Sequence, residues 1–264
     1  MLKIENITKT FLKNTVNEKR ALNGIDLVLN DGDFVTVIGS NGAGKSTLLN
    51  AIAGSFEIDS GKIIIDDIDI TKMSEHKRAS YIGRVFQDPM MGTAADMWIE
   101  ENLALANRRG KKRGLKQGIT AKEREEFIEL LKEFDLGLED RLSTKVGMLS
   151  GGQRQALTLL MSTLQKPKLL LLDEHTAALD PKTAAKVLEV TDKIVEKSHL
   201  TTFMVTHNMR DAINHGNRLL MLNNGKIILD ITGEEKKKLT VEKLLAKFEK
   251  ASGETFSNDA AILG

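Results

Sequence analysis

Residues Gly39 to Thr47 read Gly-Ser-Asn-Gly-Ala-Gly-Lys-Ser-Thr. The stretch fits G-x-x-x-x-G-K-[ST], with Gly39, Gly44, Lys45 and Ser46 at the fixed positions. Ahead of it, Phe34-Val35-Thr36-Val37-Ile38 is a short apolar run that predicts a buried strand. Behind it, Ser46 to Ala53 has helical spacing and stops at Gly54. Side chains would keep a backbone from wrapping a phosphate, so glycines occupy the loop. Free N–H groups at the helix start, with the helix dipole behind them, favour an anion there. Lys45 adds a point charge for β- and γ-phosphates, and the Ser46 hydroxyl can ligate Mg²⁺. Ser40, Asn41, Gly42, Ala43 and Thr47 complete the expected ATP-contacting stretch. The bland alternative is a glycine-rich strand-to-helix turn without a ligand; the flanking strand and helix favour the nucleotide.

The chain has 264 residues, 41% of them apolar, enough for one large domain or a core plus a lobe. Its 38 basic and 37 acidic residues leave a net charge of +1, so no global basic field points to nucleic acid. It has no cysteine, which removes disulfides, thiolate metal sites and a cysteine nucleophile, and fits a reducing compartment. The start, Met-Leu-Lys-Ile-Glu-Asn, does not read as a secretory signal. The longest pure apolar run, Leu169 to Leu172, is far short of a membrane span, so a soluble protein is expected, with any membrane role needing a partner.

Outward from the loop, Leu2 to Ile7 alternates like a half-buried strand, followed by Phe11 in a polar loop. Gly24 to Asn30 and Asp33 to Ile38 read as two strands separated by an Asp31-Gly32 turn. Short β-rich pieces follow at Gly61 to Ile65 and Ile68 to Ile70, then a helical turn within Ser74 to Ser80 and a strand at Tyr81 to Phe86. From Trp98 to about Gln165 no strong strand appears. Ile99, Leu103, Leu105 and Ala106 suit one helix face, and Thr120 with Glu123 opens a second helix in capping-box spacing. After this helical region come a continuous apolar strand, Lys168 to Asp173, a helix opened by Pro181, and a strand at Thr201 to Thr206. A hairpin around Asn223-Asn224-Gly225 and a charged helix, Val241 to Lys250, precede a polar tail. The fold class is therefore α/β: a P-loop NTPase core with a mostly parallel sheet, an N-terminal antiparallel β part and an inserted α-helical subdomain. Residues 1–97 and 166–264 form the core and residues 98–165 the insert, with no internal repeat and thus one nucleotide module.

Two further motifs carry chemistry. Leu169 to Leu172 runs into Asp173-Glu174. Acids at the carboxyl end of a central strand lie beside the phosphate loop in open α/β sheets. Asp173 can hold Mg²⁺ there, and Glu174 can orient and deprotonate an attacking water. Taken alone, the pair reads as a core strand leaving into an acidic loop. Leu149-Ser150-Gly151-Gly152-Gln153 precedes the apolar-periodic stretch Ala156 to Leu164. It is either an ordinary cap after a loop or a second anion site at a helix start.

These residues, taken in order, resemble the signature of ABC-type ATPases. The phosphate loop is followed by Gln87 after a strand, Leu-Ser-Gly-Gly-Gln, strand-Asp-Glu, Ala178-Leu179-Asp180, and His207 after a strand. The resemblance implies two such domains paired head to tail over two ATP molecules. Ser150, Gly151, Gly152 and Gln153 of one chain would then meet the γ-phosphate held by the other chain's Lys45, and Asp180 would cross the interface. Gln87 would sense Mg²⁺ and the water, His207 would contact the γ-phosphate and support Glu174, and Phe11 would stack on adenine. The catalytic set implied is Glu174, His207 and Gln87, and the metal set Ser46, Gln87 and Asp173. The chain departs from the family at His175, where Pro is usual, and at Ala177, where Ser is usual. Neither is expected to affect hydrolysis, and His175 reads either as an extra polar contact or as a residue without a role.

The resemblance further implies an ATP-hydrolysing subunit on the cytoplasmic face of the cell membrane, held there by integral permease subunits. A second ATPase subunit, as a homodimer, and an extracytoplasmic substrate-binding protein complete the expected partners; nucleic acid is not among them. Gly83 to Thr93 and Thr176 to Ala185 resemble a bacterial subgroup that serves amino-acid-type or tryptophan/tyrosine-type uptake. The alternative is a non-transport ABC ATPase of translation, repair or assembly, although its usual second module or coiled-coil insert is missing here. A scaffold that binds ATP without turnover is opposed by Glu174 and His207. Two surface stretches remain. Asn107 to Gly118, with Arg108, Arg109, Lys111, Lys112, Arg113 and Lys116, reads as a solvated loop or as a contact for anionic lipid. Pro89-Met90-Met91-Gly92 is expected to face a partner's cytoplasmic helix.

Overall fold

The computed structural model describes residues 1–111 and 118–253. The chain opens with β1 (Leu2–Phe11) and β2 (Lys19–Leu29), crosses to β3 (Phe34–Gly39), and enters helix α1 (Lys45–Ala53) directly from the glycine-rich loop. It continues through β4 (Ser60–Ile65), β5 (Ile68–Asp69), α2 (Glu75–Arg78) and β6 (Ile82–Val85). Three helices follow before the next strand: α3 (Ile99–Asn107), α4 (Ala121–Glu133) and α5 (Gly151–Thr163). The last part alternates: β7 (Leu169–Asp173), α6 (Pro181–Ser198), β8 (Thr202–Val205), α7 (Met209–Asn214), β9 (Arg218–Asn223), β10 (Lys226–Thr232), α8 (Gly233–Lys237) and α9 (Val241–Ser252).

Two sheets result. An antiparallel sheet has the order β2-β1-β4-β5, and a six-stranded sheet has the order β10-β9-β3-β8-β7-β6. In the second, β3, β6, β7, β8 and β9 run parallel and only β10 is antiparallel, on the edge. The apolar run of β7 follows from this. Leu169 and Leu171 pack into the core shared with the antiparallel sheet and α1, whereas Leu170 and Leu172 pack against the helices on the other face. A strand buried on both faces needs apolar side chains at every position. A third cluster joins Ile38, β9, α7 and α9 through Met209, Met221, Leu244 and Phe248.

Local signals set the element boundaries. Thr120 caps α4: its hydroxyl accepts from Glu123 N at 3.2 Å while Glu123 Oε2 accepts from Thr120 N at 2.9 Å. Asp180 caps α6 ahead of Pro181, accepting from Thr183 N at 3.2 Å. Asn224-Gly225 closes the β9–β10 hairpin, and Gly225 N donates to Ala43 O at 3.0 Å, so the hairpin tip props the glycine-rich loop from below. Two expectations need correction. Phe11 is not in a loop but ends β1, whose register shifts after Ile4, Ile7 and Lys9 disguise the alternation. The Asp31-Gly32 turn exists, yet its flanking strands lie in different sheets: β2 pairs with β1, and β3 with β8 and β9.

Candidate functional site

The parallel strands deliver their carboxyl ends to one edge of the sheet, and the candidate residues gather there. Gly39 closes β3, Asp173 closes β7, and His207 follows β8 by two residues. The glycine-rich loop is pinned by what surrounds it. Gly44 has φ +106°, and a Cβ on it would sit 2.6 Å from Ala21 O; no other residue fits. Lys45 is buried, and its Nζ donates to Gly39 O at 2.8 Å and Ser40 O at 3.2 Å, which holds the ammonium inside the curve of the loop. Burial pulls its pKa down, while Glu174 pulls the other way. Ser46, the second residue of α1, is exposed.

Glu174 leaves β7 with φ +44°, a left-handed conformation uncommon outside glycine, and its N–H donates to Val205 O at 3.0 Å. This turn brings its Oε2 to 3.4 Å from His207 Nδ1. The two groups shift each other. The bond to His207 holds Glu174 below the usual carboxylate range despite its burial, and the bond to Glu174 raises His207. Glu174 is thus kept ionised, as a base must be. Asp173 behaves differently: burial raises its pKa, and Arg84, 3.4 Å away, partly offsets that. Asp173 and exposed Gln87 line one cavity of about 790 Å³ together with Asn50, Arg84 and Phe86. Ser46, Gln87 and Asp173 offer oxygen donors with a single carboxylate, a sparse hard set that suits Mg²⁺ completed by phosphates and water.

The structure does not bring every expected residue to this edge. Ser150, Gly152 and Gln153 line a separate cavity with Lys182, Thr183 and Lys186. There Ser150 and Gln153 form a reciprocal cap, each backbone N–H donating to the other's side-chain oxygen at 3.3 Å. Ser150 and Gly151 face solvent, as does Asp180. Phe11 is 37% exposed and meets Phe56 edge-on, 5.3 Å between ring centres. Asn41 and Gly42 are exposed, Thr47 half-buried and Ala43 buried.

Three sequence features acquire structural explanations. His175 is buried and points under α6, where its Nε2 lies 3.1 Å from the Thr191 hydroxyl; the polar contact is real, and it is internal. In the basic stretch, Arg108 pairs with Glu123 at 2.9 Å and Arg109 donates to Ser162 O at 2.9 Å. Both are tied into the helices, whereas Lys112, Arg113 and Lys116 lie outside the described residues. Met90 and Met91 are 60% and 50% exposed, and Arg154 of α5 reaches Met90 Sδ at 2.8 Å. Sequence reasoning missed Arg84 and Asn50. The available signal was a charged residue inside the apolar strand Tyr81 to Phe86.

A parallel sheet carrying a phosphate loop at one strand end and an Asp-Glu pair at another defines a P-loop ATPase. The family model described as "ABC transporter" matches residues 22–177. The chain is 48% identical over 251 residues to a tyrosine transport ATP-binding protein of Clostridioides difficile (strain R20291), covering 95% of this chain and 100% of that protein. It is 32% identical over 252 residues to the methionine import ATP-binding protein MetN of Streptococcus agalactiae, covering 91% of this chain and 68% of that protein. Among solved structures, a dimeric ATP-binding cassette in a post-hydrolysis state bound to ADP and Pi superposes with TM-score 0.74 at 31% identity, covering 88% of this chain and 98% of that one. The chain belongs to the ABC transporter family, as an ATP-binding, ATP-hydrolysing subunit.

Proposed function

We propose that this ATPase powers uptake of a small solute such as an amino acid, working as a dimer beneath integral permease subunits at the cytoplasmic face of the membrane. In this reading residues 98–165 form a helical subdomain on the remaining core, and Met90 and Met91 face a permease helix. An extracytoplasmic substrate-binding protein delivers the solute. Among the described residues no helix is long and apolar enough to cross a membrane, so membrane attachment through a partner is consistent with the chain. The full-length likeness to a tyrosine transport ATP-binding protein supports transport over the other roles of such ATPases.

ATP lies across the loop Gly39 to Thr47, with Lys45 leaving Gly39 O and Ser40 O for the phosphates and Phe11 against the adenine. Ser46, Asp173 and Gln87 hold Mg²⁺, which when bound neutralises phosphate charge. Glu174 accepts a proton from the attacking water, and His207 holds Glu174 ionised and contacts the γ-phosphate. The second copy supplies Ser150 to Gln153 at the phosphate and Asp180 across the interface. The observation that carries this reading is the Glu174–His207 contact of 3.4 Å at the carboxyl edge, with Lys45 close enough to influence Glu174. Glu174→Gln removes the base and keeps the shape. It should lower kcat by about 10³-fold, within the span expected for a general base, and accumulate an ATP-bound dimer in size-exclusion chromatography. Full turnover in that variant would refute the mechanism. Cross-linking from Met90 or Met91 to a co-purified permease tests the docking face, and failure to cross-link counts against it.

A further inference from the structure

Arg84 is the only charged side chain in β6, and it is 14% exposed. Its contacts reach four other segments. Nη2 donates to Asn50 Oδ1 of α1 at 2.6 Å and approaches Asp173 Oδ2 of β7 at 3.4 Å. Nη1 donates to Ser55 Oγ at 3.0 Å and faces Glu75 of α2 at 3.6 Å. The guanidinium lies 4.4 Å from the centre of the Phe86 ring, immediately before Gln87. Nε is buried without a hydrogen-bond partner.

A cation buried this deeply is costly unless its position matters or its partners compensate fully. The unpartnered Nε shows that compensation is incomplete. An apolar residue would suit the strand better, since Ile82 and Val85 on either side are buried. What the arginine supplies is a rigid planar group whose Nη2 reaches two oxygens while its Nη1 is anchored on Ser55 and Glu75. Those oxygens belong to Asp173 and to Asn50. Asn50 stands four residues after Ser46 on α1, one helical turn along the same face. Nη2 therefore bridges the Asp173 carboxylate to the helix that carries Ser46, with Nη1 fixing the plane of the group. The Phe86 ring against the same guanidinium connects this spacing to the segment bearing Gln87.

We propose that Arg84 is a positioning residue: it holds Asp173 in register with Ser46 and Gln87 for a divalent cation, through Asn50 on one side and Phe86 on the other. The proposal rests on the reading above that Ser46, Gln87 and Asp173 hold the metal. Groups that orient metal ligands are commonly worth about 10–100-fold in metal affinity or activity.

The test uses the full chain carrying Glu174→Gln, so that ATP persists, and Mn²⁺ as the spectroscopic probe. Electron paramagnetic resonance reads Mn²⁺ affinity in the presence of ATP, and a fluorescent ATP analogue in EDTA reads nucleotide affinity without metal. Arg84→Met should weaken Mn²⁺ about tenfold or more and leave nucleotide binding in EDTA within about twofold. Arg84→Lys keeps the charge but has no second nitrogen to stay anchored on Ser55 and Glu75 while the first holds Asn50 and Asp173; it should fall between the native chain and Arg84→Met, and it carries the test if Arg84→Met melts early. Unchanged Mn²⁺ affinity in both variants overturns the proposal, and so does an equal loss of metal-free ATP binding, which marks a merely structural arginine. Asp173→Ala separates the two readings. If it leaves Mn²⁺ affinity unchanged, the metal assignment fails; if it weakens Mn²⁺ while the Arg84 variants do not, Arg84 alone is misassigned.

Discussion

Glu174 and His207 move each other's protonation in opposite directions, and both shifts begin with the same contact. His207 is raised, so its proton persists above the ordinary histidine range and leaves as pH rises through the raised value. In a ¹H–¹³C NMR titration the His207 ring should titrate on the alkaline side of about 6.5, the ordinary histidine value, and Glu174→Gln should return it towards that value. An unmoved midpoint in the variant would break the pairing. His175 behaves in the reverse sense. Burial, and then the neighbouring His215, push it down to about 4, with Asp192 opposing. The unfolded chain therefore takes up a proton near pH 6.5 that the native chain refuses until about pH 4. Stability should fall as pH drops through that window, by about 3 kcal/mol at one tenfold step per 1.36 kcal/mol. Urea titrations of His175→Gln should show a flatter dependence over the same window. The sequence placed His175 beside Glu174 but could not say which way it faced. That direction is set by the turn at Glu174 and by Thr191, 16 residues away.

At the scale of elements, what was local was legible. The α4 cap, Pro181 at the start of α6 and the β9–β10 turn each depend on a few adjacent residues, and each lies where the sequence puts it. What depends on distant pairing was not: β3 finds its partners in Thr202 to Val205 and Arg218 to Leu222, which no turn signal encodes. Short α7 escaped notice because six residues carry too little periodicity; its cap, Asn208, accepts from Arg210 N and Asp211 N. The paired glycines of the signature stretch acquire a packing reason. A Cβ on Gly152 would lie 1.9 Å from Thr183 Cγ2, so α5 starts in direct contact with the first turn of α6, just past Asp180. Gly152→Ala should overpack this contact by about 1–3 kcal/mol, seen as a lower Tm. Thr183→Ser deletes the offending methyl, and the next atom, Thr183 Cβ, lies at 3.4 Å, so the double variant should recover most of the loss. No recovery would mean that the helix N-terminus fails for another reason.

For the whole molecule, one copy brings together only part of the motifs. Lys45, Asp173, Glu174 and His207 converge because their strands are parallel and adjacent, a property that alternating β and α segments make readable. Ser150 to Gln153 instead lie beside Asp135, Lys182 and Lys186, with Ser150 and Gly151 open to solvent. Their position outside the nucleotide edge could not be read from order along the chain, because among the described residues the chain passes through α3, α4 and α5 between Gln87 and Asp173 before returning to the sheet. If a second copy completes the site, binding and turnover separate with concentration. ATP affinity, which needs Lys45 and its loop, should be independent of protein concentration well below the dimer dissociation constant. Turnover per chain should rise in proportion to concentration there and level off above it, since the active species forms by mass action. Ser150→Arg should abolish the rise while leaving ATP binding within about twofold, because the substituted position is exposed in the single chain and, in the proposed dimer, would meet the nucleotide only across the pair. Mixing that variant with Glu174→Gln chains supplies a sharper measurement. Each mixed dimer would pair one intact acid with one intact signature in a single composite site, so activity recovered on mixing two inactive variants requires residues from both copies. Turnover per chain that stays flat from nanomolar to micromolar protein would show that one chain suffices.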